Sequence, residues 1–235
     1  MSLDYGRQAD LVSSSELDFD VSLIGAGGIG SAVALGLAKM GCQRLTLIDP
    51  DQVEPHNLPS QLYRLADVGR PKVEALAELL AEMAGVTVAA QVERVTSRWR
   101  AQGVVVSAVD SMASRRAIWD SLRYRAGVPL YVDARMGAEV CRVLSARPAD
   151  PDDVRAYEAT LYADADATED PCTARAIVYT TLGVAALVAN QVKRFARRES
   201  LQPDVVFDFA TLTLLTTAST NPGSVVYCMH CGRSG

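Results

Sequence analysis

Short apolar runs alternate with longer stretches of helical spacing along this chain. Residues 21–24 read Val-Ser-Leu-Ile. Gly25-Ala26-Gly27-Gly28-Ile29-Gly30 follows, then small and apolar residues as far as Gly41, then Leu45-Thr46-Leu47-Ile48 and Asp49. Short apolar runs bounded by glycine fit buried strands, and a longer run fits a helix, so the pattern predicts strand, glycine turn, helix and strand. Val73, Leu76, Leu79, Leu80 and Met83 recur at helical spacing and predict a helix over 72–84. Strands are predicted over 86–92, 104–109, 128–132 and 139–145. The second is uniformly apolar, as a strand buried on both faces of a parallel sheet would be, and the last alternates as an antiparallel strand does. A long helix over 176–195 ends among Lys193, Arg194, Arg197 and Arg198, charges that suit a helix C-terminus. A strand-rich stretch over 205–217 closes the pattern. The fold expected is α/β and Rossmann-like: a mostly parallel central sheet with flanking helices and an antiparallel C-terminal extension.

One domain over 1–235 is expected, with a polar arm over 1–20 and an acidic crossover loop over 148–172. That loop is dense in Asp and Glu and carries a short helix around 154–161. Of the 235 residues, 49% are hydrophobic and 22% charged, enough apolar surface for one large core. The net charge of −5 argues against nucleic acid as the partner. No apolar run is long enough to span a bilayer and no signal core opens the sequence, so no membrane association is expected. Five cysteines in no even framework fit a reducing cytoplasm.

The chemistry concentrates around the glycine motif. Its glycines allow a tight turn and close ligand approach, and the helix beyond offers unpaired N–H groups to a phosphate. Asp49 lies about 20 residues further on, where a carboxylate accepts ribose hydroxyls. Lys72 sits in the first turn of its helix, unfavourable to the dipole unless it holds an anion. Asp110 ends a buried parallel strand, on the ligand side of such a sheet, where it can also cap the next helix. Asp133 and Arg135 lie close enough in sequence to pair with each other. Cys172 stands at the mouth of the long helix, whose positive end favours thiolate, unless it is only a small buried cap residue. Cys228-Met-His-Cys231 is half of a zinc site.

Together these motifs resemble the ThiF/MoeB/HesA E1-like adenylyltransferase superfamily, whose members activate ubiquitin-like and sulfur-carrier proteins. Tyr5-Gly6-Arg7-Gln8 is similar to the family's Tyr-x-Arg-Gln, Asn57-Leu58 with Gln61 to its Asn-Leu-x-Arg-Gln, and Gly69-Arg70-Pro71-Lys72 to its Gly-x-x-Lys. Asp110-Ser111 with Arg115 resembles Asp-Asn-x-x-x-Arg, and Pro171-Cys172-Thr173 resembles the Pro-x-Cys-Thr around a thioester cysteine. The resemblance implies ATP-dependent adenylation of a carrier's C-terminal glycine. Gly25, Gly27, Gly28, Gly30, Asp49, Asp51, Asn57, Gln61, Lys72, Asp110 and Ser111 would hold the ATP, and Asp110 its Mg2+. Arg7 would reach into the other subunit of a homodimer, and Cys172 would be the nucleophile. It further implies an E2-like acceptor, and Zn2+ on Cys228 and Cys231. Ser60 stands where the family has an arginine, and Arg64, one turn later, is a candidate substitute. Three other readings compete. The chain could be a degenerate E1-like subunit that binds without chemistry, an E1-like enzyme acting on a small molecule or tRNA, or an NAD-dependent dehydrogenase.

Overall fold

The computed structural model describes residues 3–162 and 176–217. Its strands are β1 (Val21–Ile24), β2 (Leu45–Ile48), β3 (Ala89–Gln91), β4 (Val104–Ser107), β5 (Leu130–Gly137), β6 (Val140–Ala146), β7 (Asp204–Asp208) and β8 (Thr213–Thr217). They form one sheet in the order β3-β2-β1-β4-β5-β6-β7-β8. The first five in that order run parallel, and β6, β7 and β8 each pair antiparallel with the strand before. The α/β expectation, with its antiparallel C-terminal extension, is what the sheet shows.

The helices are α1 (Gly28–Met40), α2 (Lys72–Ala84), α3 (Met112–Leu122), α4 (Pro151–Glu158) and α5 (Val178–Ala196). Alternate residues of each central strand face opposite layers, as strand geometry requires. Val104, Val106, Leu130, Val132 and Ala134 pack with α1, α2 and α5; Val105 and Tyr131 pack with Ile118, Trp119, Val154 and Tyr157 of α3 and α4. Asp133 and Arg135 follow Tyr131 by twos and so lie on the α3–α4 face.

Several boundaries differ from the sequence expectation. β3 is shorter because it is an edge strand that pairs only with Thr46–Ile48 of β2. β5 runs on from 132 to Gly137 because its second half finds an antiparallel partner in β6. The short acidic-loop helix starts earlier, at Pro151, where Asp150 caps it by accepting from the Asp152 N–H at 2.9 Å. The described part of the expected arm packs down. Val12 and Leu17 are buried, and the Gln8 amide donates to the Met40 carbonyl at the end of α1, 2.6 Å away.

Candidate nucleotide site

β1 ends in the glycine turn, and two of its glycines are required by packing. Gly25 has φ +94°, and a Cβ there would lie 2.6 Å from the Ala108 carbonyl oxygen beyond β4. A Cβ on Gly30 would lie 1.8 Å from the Gly25 carbonyl oxygen. Gly27 is different. It precedes the first turn of α1 with no side chain capping it, and the nearest atom to a Cβ there is the Gln61 amide nitrogen, 4.0 Å away. Gly28 is more crowded, with Thr181 of α5 at 3.0 Å and the Ser60 carbonyl oxygen at 3.2 Å from its Cβ position. Both glycines are partly exposed, and of the two Gly27 has the more room above it, beside Gln61. Among the described residues, the buried Gln61 side-chain oxygen has no hydrogen-bond partner. A buried acceptor left empty is costly, and a ligand donor would relieve it.

The segment from Ser60 to Tyr63 lies across the turn. The Tyr63 hydroxyl donates to the Ala26 carbonyl at 2.5 Å, and the Leu62 N–H donates to the Ser31 hydroxyl at 3.1 Å. Asp49 ties the same turn from the other side. One of its oxygens accepts from the Ala26 N–H at 2.6 Å and the other from the Asp51 N–H at 2.8 Å. Burial raises the Asp49 pKa, opposed by these two N–H bonds and by the Lys72 charge. A carboxylate has about four acceptor positions, so two remain for ligand hydroxyls.

Lys72 opens α2. Its ammonium lies 3.2 Å from Asp51 Oδ2, with the lysine side chain 9% exposed and that of Asp51 57% exposed. Asn57 is buried and turned to local use, its side-chain oxygen accepting from the Glu54 N–H at 2.9 Å. Beyond the adjoining strand, Asp110 stands exposed three positions past Ser107, a residue in register with Ile24 of β1. The cap of α3 is Ser111, not Asp110: the Ser111 hydroxyl accepts from the Ser114 N–H at 3.2 Å.

Behind Asp110 is a buried ion cluster. Arg115 Nε donates to Asp133 Oδ1 at 3.0 Å, and its terminal nitrogen donates to the carbonyls of Val109 and Ala134. Arg135 Nε donates to Asp133 Oδ2 at 2.7 Å, and the Tyr157 hydroxyl donates to that oxygen at 3.0 Å. Arg135 also holds Thr160 through its carbonyl and hydroxyl oxygens. Burial works against the Asp133 charge, but the guanidiniums of Arg115 and Arg135 outweigh it and hold the carboxyl below its usual range. The pairing of Asp133 with Arg135 expected from sequence is present; the sharing of Asp133 with Arg115 and Tyr157 left no short-range signal.

The structure thus gathers Gly27, Asp49, Asp51, Gln61 and Lys72 at one place, with Asp110 on the loop after β4 at the same end of the sheet. Two candidates go elsewhere. Arg64, the candidate substitute for the arginine missing at Ser60, is paired with carboxylates. Asp67, Glu78 and Glu82 hold its guanidinium beside α2. Arg7 is exposed beside Gln8 at the C-terminal end of α1, a helix about 20 Å long, and so lies far from its own glycine turn. Cys172, Cys228 and Cys231 lie outside the described residues. Tyr63 and Thr181, which shape the opening, carried no motif. Among the described residues no three His, Cys, Asp or Glu side chains gather as a metal cage, and no helix is long and apolar enough to cross a membrane.

The model of the ThiF family matches residues 8–217. A NEDD8-activating enzyme E1 catalytic subunit of Dictyostelium discoideum is 31% identical over 121 residues, 49% of this chain and 27% of that protein. The adenylyltransferase and sulfurtransferase uba4 of Aspergillus terreus is 47% identical over 64 residues, 27% of this chain and 13% of that protein. The matched stretches thus span about a quarter or less of these relatives. Escherichia coli MccB, solved with AMPCPP and MccA, has the same fold, with a TM-score of 0.68 at 20% identity over 89% of this chain and 67% of that one. Matched over most of its length, the chain belongs to the ThiF family.

Proposed function

We propose that the chain adenylates the C-terminal glycine of a ubiquitin-like or sulfur-carrier protein with ATP, and that Cys172 then takes the activated carrier as a thioester or in a sulfur relay. One observation carries this reading. The Lys72 ammonium is nearly buried in the first turn of α2, yet its partner Asp51 is mostly in solvent, two residues from the Asp49 that ties the glycine turn. A buried cation so incompletely matched suits an incoming polyanion.

The fit extends beyond the cation. The α1 N-terminus would take phosphate oxygens over Gly27, and the two unused acceptor positions of Asp49 would take ribose hydroxyls. The unfilled oxygen of Gln61 accepts a further donor from the ligand. For Mg2+ the donor set on offer is the Asp110 carboxylate with phosphate oxygens and water, which is how this ion is commonly held. When bound, the ion would supply charge neutralisation on the triphosphate.

In the reaction a carboxylate oxygen of the carrier attacks the α-phosphorus. A carbon–oxygen–phosphorus linkage forms, the bond to the β-phosphate oxygen breaks, and pyrophosphate leaves. The carboxylate is already ionised at neutral pH, so no general base is needed. The protein's part is position and charge: Lys72 against the departing phosphates, Asp49 and Gln61 fixing the nucleoside. The Cys172 thiolate would then attack the acyl carbonyl, releasing AMP. Arg7 would contribute to the partner's site in a homodimer, since its own turn lies at the other end of α1.

A second reading has its own observation. With Ser60 in place of the arginine and Arg64 held by carboxylates, the site is one cation short, as in a subunit that binds nucleotide without chemistry. ATP–pyrophosphate exchange by the purified chain, with a panel of carrier proteins ending in glycine, separates the two. Carrier-dependent exchange is expected; ATP binding with no exchange on any carrier favours the second reading.

A further inference from the structure

We propose that Asp133, acting through Arg115, is a positioning residue that aims Asp110 at the bound metal–nucleotide; this rests on the reading of Asp110 given above. The argument begins with the peptide group between Val109 and Asp110. Arg115 donates to the Val109 carbonyl oxygen, and a peptide group is planar, so fixing that oxygen fixes the direction in which Asp110 leaves the strand. The same guanidinium is pinned by Asp133 at 3.0 Å and by the Ala134 carbonyl at 3.2 Å. Asp133 is itself fully buried and locked from its other side by Arg135 and Tyr157. The loop that carries an exposed carboxylate is therefore tied to a fully buried residue of the sheet, in register with β4 through Ser107 and Asp133.

A buried triad of charges gives little net stability over apolar residues of the same volume, so stability alone does not account for one placed here. What the fork of an arginine offers, and an apolar residue does not, is simultaneous hold on a carboxylate and two carbonyls. The cluster also reaches Trp119, whose ring centroid lies 4.4 Å from that of Tyr157. An adjustment at Asp110 should therefore reach an intrinsic fluorophore.

The test uses the full chain with ATP as the probe. Arg115→Lys keeps a positive charge against Asp133 but cannot span the Val109 carbonyl as well. Equilibrium dialysis with labelled ATP across a Mg2+ series should show the half-saturating Mg2+ rise about tenfold, as loss of an outer-sphere partner does. ATP binding without Mg2+ should stay as in the unaltered chain. An unchanged Mg2+ midpoint overturns the proposal, as does ATP binding that is independent of Mg2+ in the unaltered chain.

A second measurement needs no change in the cluster. With Trp99→Phe as background, saturating Mg2+ and ATP should shift Trp119 emission, and Asp110→Asn should abolish that shift. Emission that does not respond overturns the proposal even where Arg115→Lys fails to fold. Mg2+-dependent binding with these responses, but no pyrophosphate exchange on any carrier, would fail the adenylation reading and leave the positioning role standing.

Discussion

Lys72 and Arg115 are both nearly buried cations facing an aspartate, and their surroundings differ. The Lys72 ammonium has one carboxylate contact at 3.2 Å, to a side chain 57% exposed. Around Arg115 the pairing is tighter: Asp133 is 0% exposed and shared with Arg135 and Tyr157, and one terminal guanidinium nitrogen reaches two carbonyls. The contrast suggests how to sort buried charge in such a fold. Charge that serves the architecture is tied to buried partners, whereas charge that serves a ligand keeps a partner that can yield.

The largest effect should come from opening the buried cluster. Asp133→Asn leaves two buried guanidiniums facing a neutral amide and should cost about 3–5 kcal/mol of stability, read by urea unfolding. A loss under about 1 kcal/mol would mean the cluster is not tightly paired, and the contrast with Lys72 would fail. At the open pair the effect should fall on rate instead. Lys72→Ala should reduce carrier-dependent pyrophosphate exchange by about 100- to 1,000-fold, the usual consequence of removing one preorganised group, with little change in unfolding.

Acid should separate the two sites as well. The Asp133 carboxyl is held below its usual range in the folded protein, so the unfolded chain takes up this proton first. Its contribution is fully present above the unfolded pKa of about 4 and is lost as pH falls through the lower folded value. The difference in stability between the unaltered chain and Asp133→Asn should therefore shrink below about pH 4. A difference that grows with acid would contradict the assigned charge state.

Smaller effects test the opening and the discarded candidate. Gly27→Ala puts a methyl beside the N-terminus of α1 and should weaken ATP binding by about tenfold, roughly 1.4 kcal/mol. The methyl has room beside the Gln61 amide nitrogen, 4.0 Å away, so stability should hold. Unchanged affinity would place the phosphates elsewhere. Arg64→Gln should leave exchange as it is, because its carboxylate partners already hold that side chain away from the turn. Loss of exchange would restore Arg64 as the replacement for the family arginine.

The fold was legible where the pattern is local. The periodicity of Val73, Leu76, Leu79 and Leu80 predicts α2 with the bounds it has, Lys72–Ala84, and the alternation after Glu139 predicts β6 within a residue at either end. β5 was underestimated because nothing in 133–137 announces a hairpin partner; tertiary pairing decides it. In the site, glycine spacing marks the turn, and a lysine in the first turn of a helix, unfavourable to the dipole, marks a place that suits an anion. Asp49 was legible as an acid at the right place, but its hold on Ala26 was not, because that partner lies 23 residues away. Asp110 and Ser111 are adjacent residues with similar capping propensity, so sequence alone does not divide capping from exposure between them. Arg64 has suitable spacing for the missing arginine, and only the docking of α2 shows that Glu78 and Glu82 take it.

The central claim is that Lys72 and Asp110, from opposite sides of β1, grip one triphosphate over Gly27. Equilibrium dialysis of labelled ATP with Mg2+ against the unaltered chain, Lys72→Ala and Asp110→Ala tests it most directly. Saturable binding to the unaltered chain, with affinity lowered at least about tenfold in each variant, is predicted. Either variant binding ATP as tightly as the unaltered chain would contradict the account.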